Sequence, residues 1–164
     1  MKSDLQRFGR GFVYAWNGIR AAVWEERNFR FHMCAACYAV AAGLIAKLQR
    51  QEWALLCLCV AAVMAMELMN SAVERAVDKP DTTHWWSAGA AKDMAAGAVL
   101  LTALGAAVVG LLLFAMPDRL ALLWQAVFGS LPGALLWAGS LALAYAFTFK
   151  FGAKKEKGTP TNEP

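Results

Sequence analysis

Glu67-Leu68-Met69-Asn70-Ser71-Ala72-Val73-Glu74-Arg75-Ala76-Val77-Asp78 leaves an apolar run that begins at Trp53 and carries a row of polar groups out of it. At about 100° per residue, positions 67, 70, 71, 74 and 78 share one helix face. An ionisable group at bilayer depth costs roughly 2.5–3.5 kcal/mol on insertion scales, so an acid there marks a functional site unless a neighbour explains it. A polar helix end paired with a neighbour is the plainer explanation. Several polar groups on one stripe favour the site.

The composition fits that reading. Of 164 residues, 59% are hydrophobic and 17% charged, which suits one small, helical, membrane-embedded domain. The net charge of +4 is modest and points to orientation in a membrane, not to nucleic-acid binding. Charges interrupt Met1 to Arg30 throughout, so no signal peptide is expected. Cys34, Cys37, Cys57 and Cys59 lie in apolar segments. Cys34-Ala-Ala-Cys37 has the spacing of a redox or metal pair, but no second pair or histidine cluster completes a zinc pattern. The four read as small buried hydrophobes.

Working outward, residues 4–26 show Leu5, Phe8, Phe12, Trp16, Ile19 and Val23 at steps of three and four, with Arg7, Arg10, Asn17 and Arg20 between them. This predicts an amphipathic interfacial helix. A charged junction, Glu25 to His32, precedes a first span over about 30–48. A turn at Lys47 to Gln51 leads to a second span, about 52–77, which carries the polar stripe. Lys79-Pro80 breaks that helix. In the loop that follows, His84 has no histidine neighbours to complete a metal site, and Trp85 and Trp86 read as interface anchors. A third span covers about 89–116. Residues 119–149 form an additional span, kinked or preceded by a short interfacial piece, with Gly129, Pro132 and Gly133 inside it. The basic tail, 150–164, is expected to be disordered.

Four spans with a cytoplasmic N-terminus place thirteen lysines and arginines inside and leave only Lys47, Arg50 and Arg119 outside. The asymmetry predicts both termini, and the polar constellation, on the cytoplasmic side.

That constellation comprises Glu26, Glu67, Asn70, Glu74, Asp78, Lys92 and Asp93. Carboxylates with an amide oxygen are hard ligands suited to Mg²⁺, which takes one or two acids plus substrate phosphates. A desolvated carboxylate at the apolar boundary suits a general base acting on an alcohol. A lysine offsets phosphate charge during transfer. These are the parts of a phosphoryl-transfer site for a membrane-embedded hydroxyl. Neither a Gly-x-x-x-x-Gly-Lys loop nor a protein-kinase signature is present.

Glu67-Leu-Met-Asn70-Ser71-Ala-Val-Glu74-Arg-Ala-Val-Asp78, followed after thirteen residues by Lys92-Asp93-Met-Ala-Ala-Gly-Ala-Val, resembles the small bacterial membrane lipid kinases, the diacylglycerol and undecaprenol kinase family. Tyr14-Ala-Trp16-Asn-Gly18-Ile-Arg20 and Glu25-Glu26-Arg27-Asn28-Phe29-Arg30 match as well, and the likeness covers about residues 5–116. It implies an all-α integral membrane protein of the bacterial inner membrane. The protein would be a homotrimer of three-span protomers with active sites shared between chains. It also implies a lipid kinase domain over 1–118, with the fourth span as an addition, and ATP and Mg²⁺ as cofactors. By position, Glu67 matches the base, and Glu26 and Glu74 the metal acids. Asn70, Lys92 and Asp93, with Glu74, match residues at the nucleotide. Arg7 and Tyr14 match interfacial-helix residues that help hold it. Asp78 matches a supporting acid. Thr83, His84 and Trp85 occupy a nucleotide-touching loop but depart from the family's identities.

Glu26-Arg27-Asn28-Phe29-Arg30-Phe31-His32 resembles the undecaprenol branch, where Arg-Asn-Phe-Arg-x-His is usual. The diacylglycerol-preferring branch has small residues and a glutamate there. Undecaprenol is therefore the expected substrate, with diacylglycerol the alternative. Arg27 and Arg30 read as headgroup contacts. Two readings of another class are a non-enzymatic cation-binding or interaction protein and a small cation-coupled transporter. The second would need acids at mid-membrane in the other spans, which are missing.

Overall fold

The computed structural model describes residues 4–78 and 86–152, and six helices account for nearly all of them. They are α1 (Asp4–Glu25), α2 (Arg27–Ile45), α3 (Arg50–Val77), α4 (Trp86–Phe114), α5 (Pro117–Phe128) and α6 (Leu131–Phe149).

The amphipathic pattern of residues 4–26 becomes α1, which breaks at Glu26 where the backbone turns extended (φ −102°, ψ 112°). The charged junction is not a separate connector. From Arg27 onward it is already the first turns of α2, and Phe29 and Arg30 are buried there. α2 ends where Lys47 enters the left-handed region (φ 54°). Leu48 N–H then bonds the Gly43 carbonyl at 3.1 Å and Lys47 N–H the Leu44 carbonyl at 3.3 Å, the paired bonds that close a helix end. α3 starts on a reciprocal cap between Gln49 and Glu52.

α3 and α4 form an antiparallel hairpin. At one end Leu56 and Leu113 share a buried cluster with Ala46 and Leu48. At the other, Lys92 of α4 pairs with Asp78 at the end of α3. α5 turns back across the first end, where the Arg119 guanidinium grips both Glu52 oxygens at 2.7 and 2.8 Å. Residues 119–149, expected as a span kinked or preceded by a short interfacial piece, thus comprise most of the short amphipathic helix α5 followed by α6. The break is at Gly129 and Ser130, whose hydroxyl accepts the Gly133 N–H. α6 packs against α2.

Among the described residues, three helices are long and apolar enough to cross a membrane: Arg50–Val77, Ser87–Phe114 and Leu131–Phe149. α2 lies beside them, its first turns made polar by Arg27, Asn28, Arg30 and His32. Leucines point outward, as Leu101 (73% exposed) and Leu143 (73%) do. That surface suits hydrocarbon. The antiparallel run brings the start of α2, the end of α3, the start of α4 and the end of α6 to one end of the bundle. The tail from residue 153 lies outside the described residues.

Candidate active site

The buried polar residues of α3 are Glu67, Asn70 and Ser71, in register with Val63 one turn earlier. The spacing i, i+3, i+4 puts them on one face, as the period requires. Glu67 is 4% exposed. A carboxylate so enclosed needs a partner. His32, from the start of α2, supplies one: its Nε2 lies 3.1 Å from Glu67 Oε1. The Ser71 hydroxyl bonds back to the Glu67 carbonyl at 3.0 Å and so is absorbed by the helix itself.

One turn on, Asn70 Nδ2 donates to Glu74 Oε1 at 3.0 Å. That fixes which way the amide faces. Among the described residues, Asn70 Oδ1 is left buried without a hydrogen-bond partner. Beyond Glu74, Arg75 reaches across to the α1–α2 break and pairs with Glu25 Oε2 at 3.0 Å and Glu26 Oε1 at 3.1 Å. Four sequence-predicted residues, Glu26, Glu67, Asn70 and Glu74, therefore gather at one end of the bundle.

Lys92 binds Asp78 at the same end and extends the group to α4. Asp93 is exposed beside it. Arg7 and Tyr14 are also exposed, and among the described residues no hydrogen bond or ion pair joins them to the cluster. Thr83, His84 and Trp85 lie outside the described residues. Two readings need correction. Arg30 is not a headgroup contact: it is 5% exposed and bonds backbone carbonyls. Nor are the four cysteines all buried, since Cys37 and Cys57 face outward.

His32 is the residue that the candidate list missed. The available signal was the demand of a buried acid for a partner, with a histidine entering an apolar span nearby. His32 also borders a cavity of about 300 Å³ between α2, α3 and α4. Its walls are narrow and apolar, with Ala36 and Ala39 of α2, Val60 and Val63 of α3, and Ala106 and Gly110 of α4. Small side chains there leave room for a slim chain, and His32, the partner of Glu67, stands at its head.

Among the described residues no three His, Cys, Asp or Glu side chains come together as a metal cage. Mg²⁺ carried by a nucleotide needs only one or two protein carboxylates. Glu26, Glu74 and the unsatisfied Asn70 oxygen fit that smaller requirement.

A family model described as prokaryotic diacylglycerol kinase matches residues 13–114. The chain is 40% identical over 113 residues to the undecaprenol kinase of Bacillus subtilis (strain 168), covering 69% of this chain and 92% of that protein. It is 40% identical over 100 residues to a diacylglycerol kinase of Synechocystis, covering 60% of this chain and 57% of that one. With the diacylglycerol kinase of Escherichia coli (strain K12) it shares 36% over 88 residues, 54% of this chain and 72% of that protein. No solved structure matches it. The family match stops at the end of α4, so α5 and α6 lie beyond it.

Proposed function

Because this chain belongs to the prokaryotic diacylglycerol kinase family it is a lipid kinase, and we propose that it phosphorylates the hydroxyl of undecaprenol with ATP. The observation that carries this reading is Glu67, buried and paired with His32, which lines an apolar cavity. A lipid alcohol whose chain enters between α2, α3 and α4 brings its hydroxyl to that carboxylate.

Glu67 accepts the hydroxyl proton as the alcohol oxygen bonds to the γ-phosphorus. The bond from that phosphorus to the β–γ bridging oxygen breaks, and ADP departs. His32 holds the carboxylate in place. Lys92 offsets charge on the phosphates, and Asn70 and Asp93, with Arg7 and Tyr14 of α1, hold the nucleotide. Glu74 and Glu26 hold Mg²⁺, which when bound neutralises phosphate charge. Asp78 supports Lys92. Glu26 exchanges its Arg75 partner to do so.

Undecaprenol ranks first because the undecaprenol kinase match covers nearly all of that relative, and because Arg27-Asn28-Phe29-Arg30-Phe31-His32 follows that branch. The diacylglycerol kinases among the relatives support diacylglycerol as the second reading. Residues 1–118 form the kinase domain. α2 joins the three more apolar helices as a fourth span, with both termini and the site on the cytoplasmic face. Three chains assemble with active sites shared between protomers.

Phosphate transfer from Mg-ATP to undecaprenol, diacylglycerol and ceramide in bilayers tests the reading. Preference for undecaprenol supports it. Preference for diacylglycerol keeps the chemistry and overturns the substrate. No transfer by folded protein to any of the three overturns both.

A further inference from the structure

Arg30 is a cation with almost no exposure, and it spends its donors on the ends of two helices. Nη1 bonds the Val23 and Trp24 carbonyls at 3.1 Å each, in the last turn of α1. Nε and Nη2 bond the Thr148 carbonyl at 3.3 and 3.2 Å, in the last turn of α6. Helix ends leave carbonyls without intrahelical partners and carry partial negative charge. In α1 the Ala22 carbonyl is taken by Glu26 N–H, and in α6 the Ala146 carbonyl by Lys150 and Phe151 N–H. Arg30 takes carbonyls that these bonds leave over. One side chain thus closes two helix C-termini whose sequences lie more than a hundred residues apart.

The segment after α6 reinforces this joint. The Phe151 ring meets Trp24 edge to face at 4.7 Å. Arg27 sits over Phe149, 5.6 Å from the ring centre. Gly152, at φ +103°, lies so close that an added Cβ would stand 2.2 Å from the Trp24 carbonyl and 2.8 Å from Arg30 Nη1. Only a glycine passes there. Higher in the same contact, the Tyr38 hydroxyl donates to Ser140 at 3.1 Å.

The break that this joint spans is Glu26. We propose that α6, an addition beyond the family match, straps the α1–α2 elbow, and that Arg30 is the positioning residue through which the strap sets Glu26 for Mg-ATP. This rests on the reading of Glu26 as a ligand of the nucleotide's metal. The addition is then part of the nucleotide site's scaffold, although none of the residues read as nucleotide or metal ligands lies on α6.

Two variants load the joint from opposite sides. Gly152→Val drives a side chain into Trp24 and Arg30, and Arg30→Lys keeps the charge but loses the fork. Each is compared with wild type and with Glu26→Gln by equilibrium binding of Mg-ATP to the full-length protein, and by KM and kcat. The expected result is binding and KM for Mg-ATP weakened about tenfold in all three variants, the scale of one charge-assisted hydrogen bond. For Gly152→Val, kcat at saturating Mg-ATP and KM for the lipid stay within about twofold, because the strap acts through nucleotide binding alone. Weakening by Glu26→Gln without weakening by the strap variants overturns the strap and leaves Glu26 standing. Unchanged binding in Glu26→Gln overturns the metal reading and the strap with it. Loss of helical signal in either strap variant makes the joint a determinant of the fold and contradicts the proposal.

Discussion

His32 Nε2 on α2 stands 3.1 Å from Glu67 Oε1 on α3, so the most buried acid among the described residues meets its partner on a different helix. The pair joins the polar stripe to the apolar cavity. Removing the imidazole leaves a carboxylate enclosed and unaccompanied.

His32→Ala is therefore expected to lower kcat while changing KM for Mg-ATP little, because the histidine positions the base and not the nucleotide. The protein should lose about 1–3 kcal/mol of stability, the usual penalty for stranding a buried polar group. Steady-state kinetics and thermal unfolding in one detergent check both parts. His32→Gln should recover part of the rate, since its amide can still donate to Glu67.

Glu74→Gln should raise the Mg²⁺ concentration needed for half-maximal activity, because a carboxylate is the better hard ligand. Titrating Mg²⁺ at fixed ATP after chelator treatment reads this directly. An unchanged requirement would remove Glu74 from the metal set.

The distal end offers a control. An added Cβ at Gly43 would lie 2.9 Å from Trp53 Cη2 and 3.1 Å from Leu48 Cδ1. Gly43→Val should cost about 1–3 kcal/mol through overpacking. Its KM values should stay near wild type, since Gly43 sits at the end of α2 remote from Glu67. Thermal unfolding beside kinetics separates the two.

Arg119→Ala removes a guanidinium that holds both Glu52 oxygens and the Leu113 carbonyl. It ties α5 to the start of α3 and the end of α4, so a lower unfolding midpoint is expected, again with Mg-ATP affinity unchanged. Chemical or thermal unfolding checks it.

The stripe from Glu67 to Asp78 was legible in the sequence because helical period alone fixes a face. Lys92 was legible because Lys79-Pro80 signals a helix end in the sequence, so the next span is expected to start beside the end of α3. The partners that come from distant sequence were not. His32 meets Glu67 only because α2 packs at one particular rotation on α3, which period does not determine. Arg30 looked like a headgroup contact because its neighbours are polar. Its real partners include a carbonyl 118 residues away, on a helix beyond the recognised family motifs. Cys37 and Cys57 were misread as buried because membrane-facing and core-facing positions are equally apolar in such a chain.

The central claim is that the Glu67 carboxylate takes the proton of the lipid alcohol. The direct measurement is single-turnover transfer of the ATP γ-phosphoryl group to undecaprenol by Glu67→Gln, with Mg-ATP binding confirmed in the same preparation. The account predicts intact binding and a rate lower by about 10²–10⁴, the usual contribution of a general base. Transfer at a rate near wild type would contradict it.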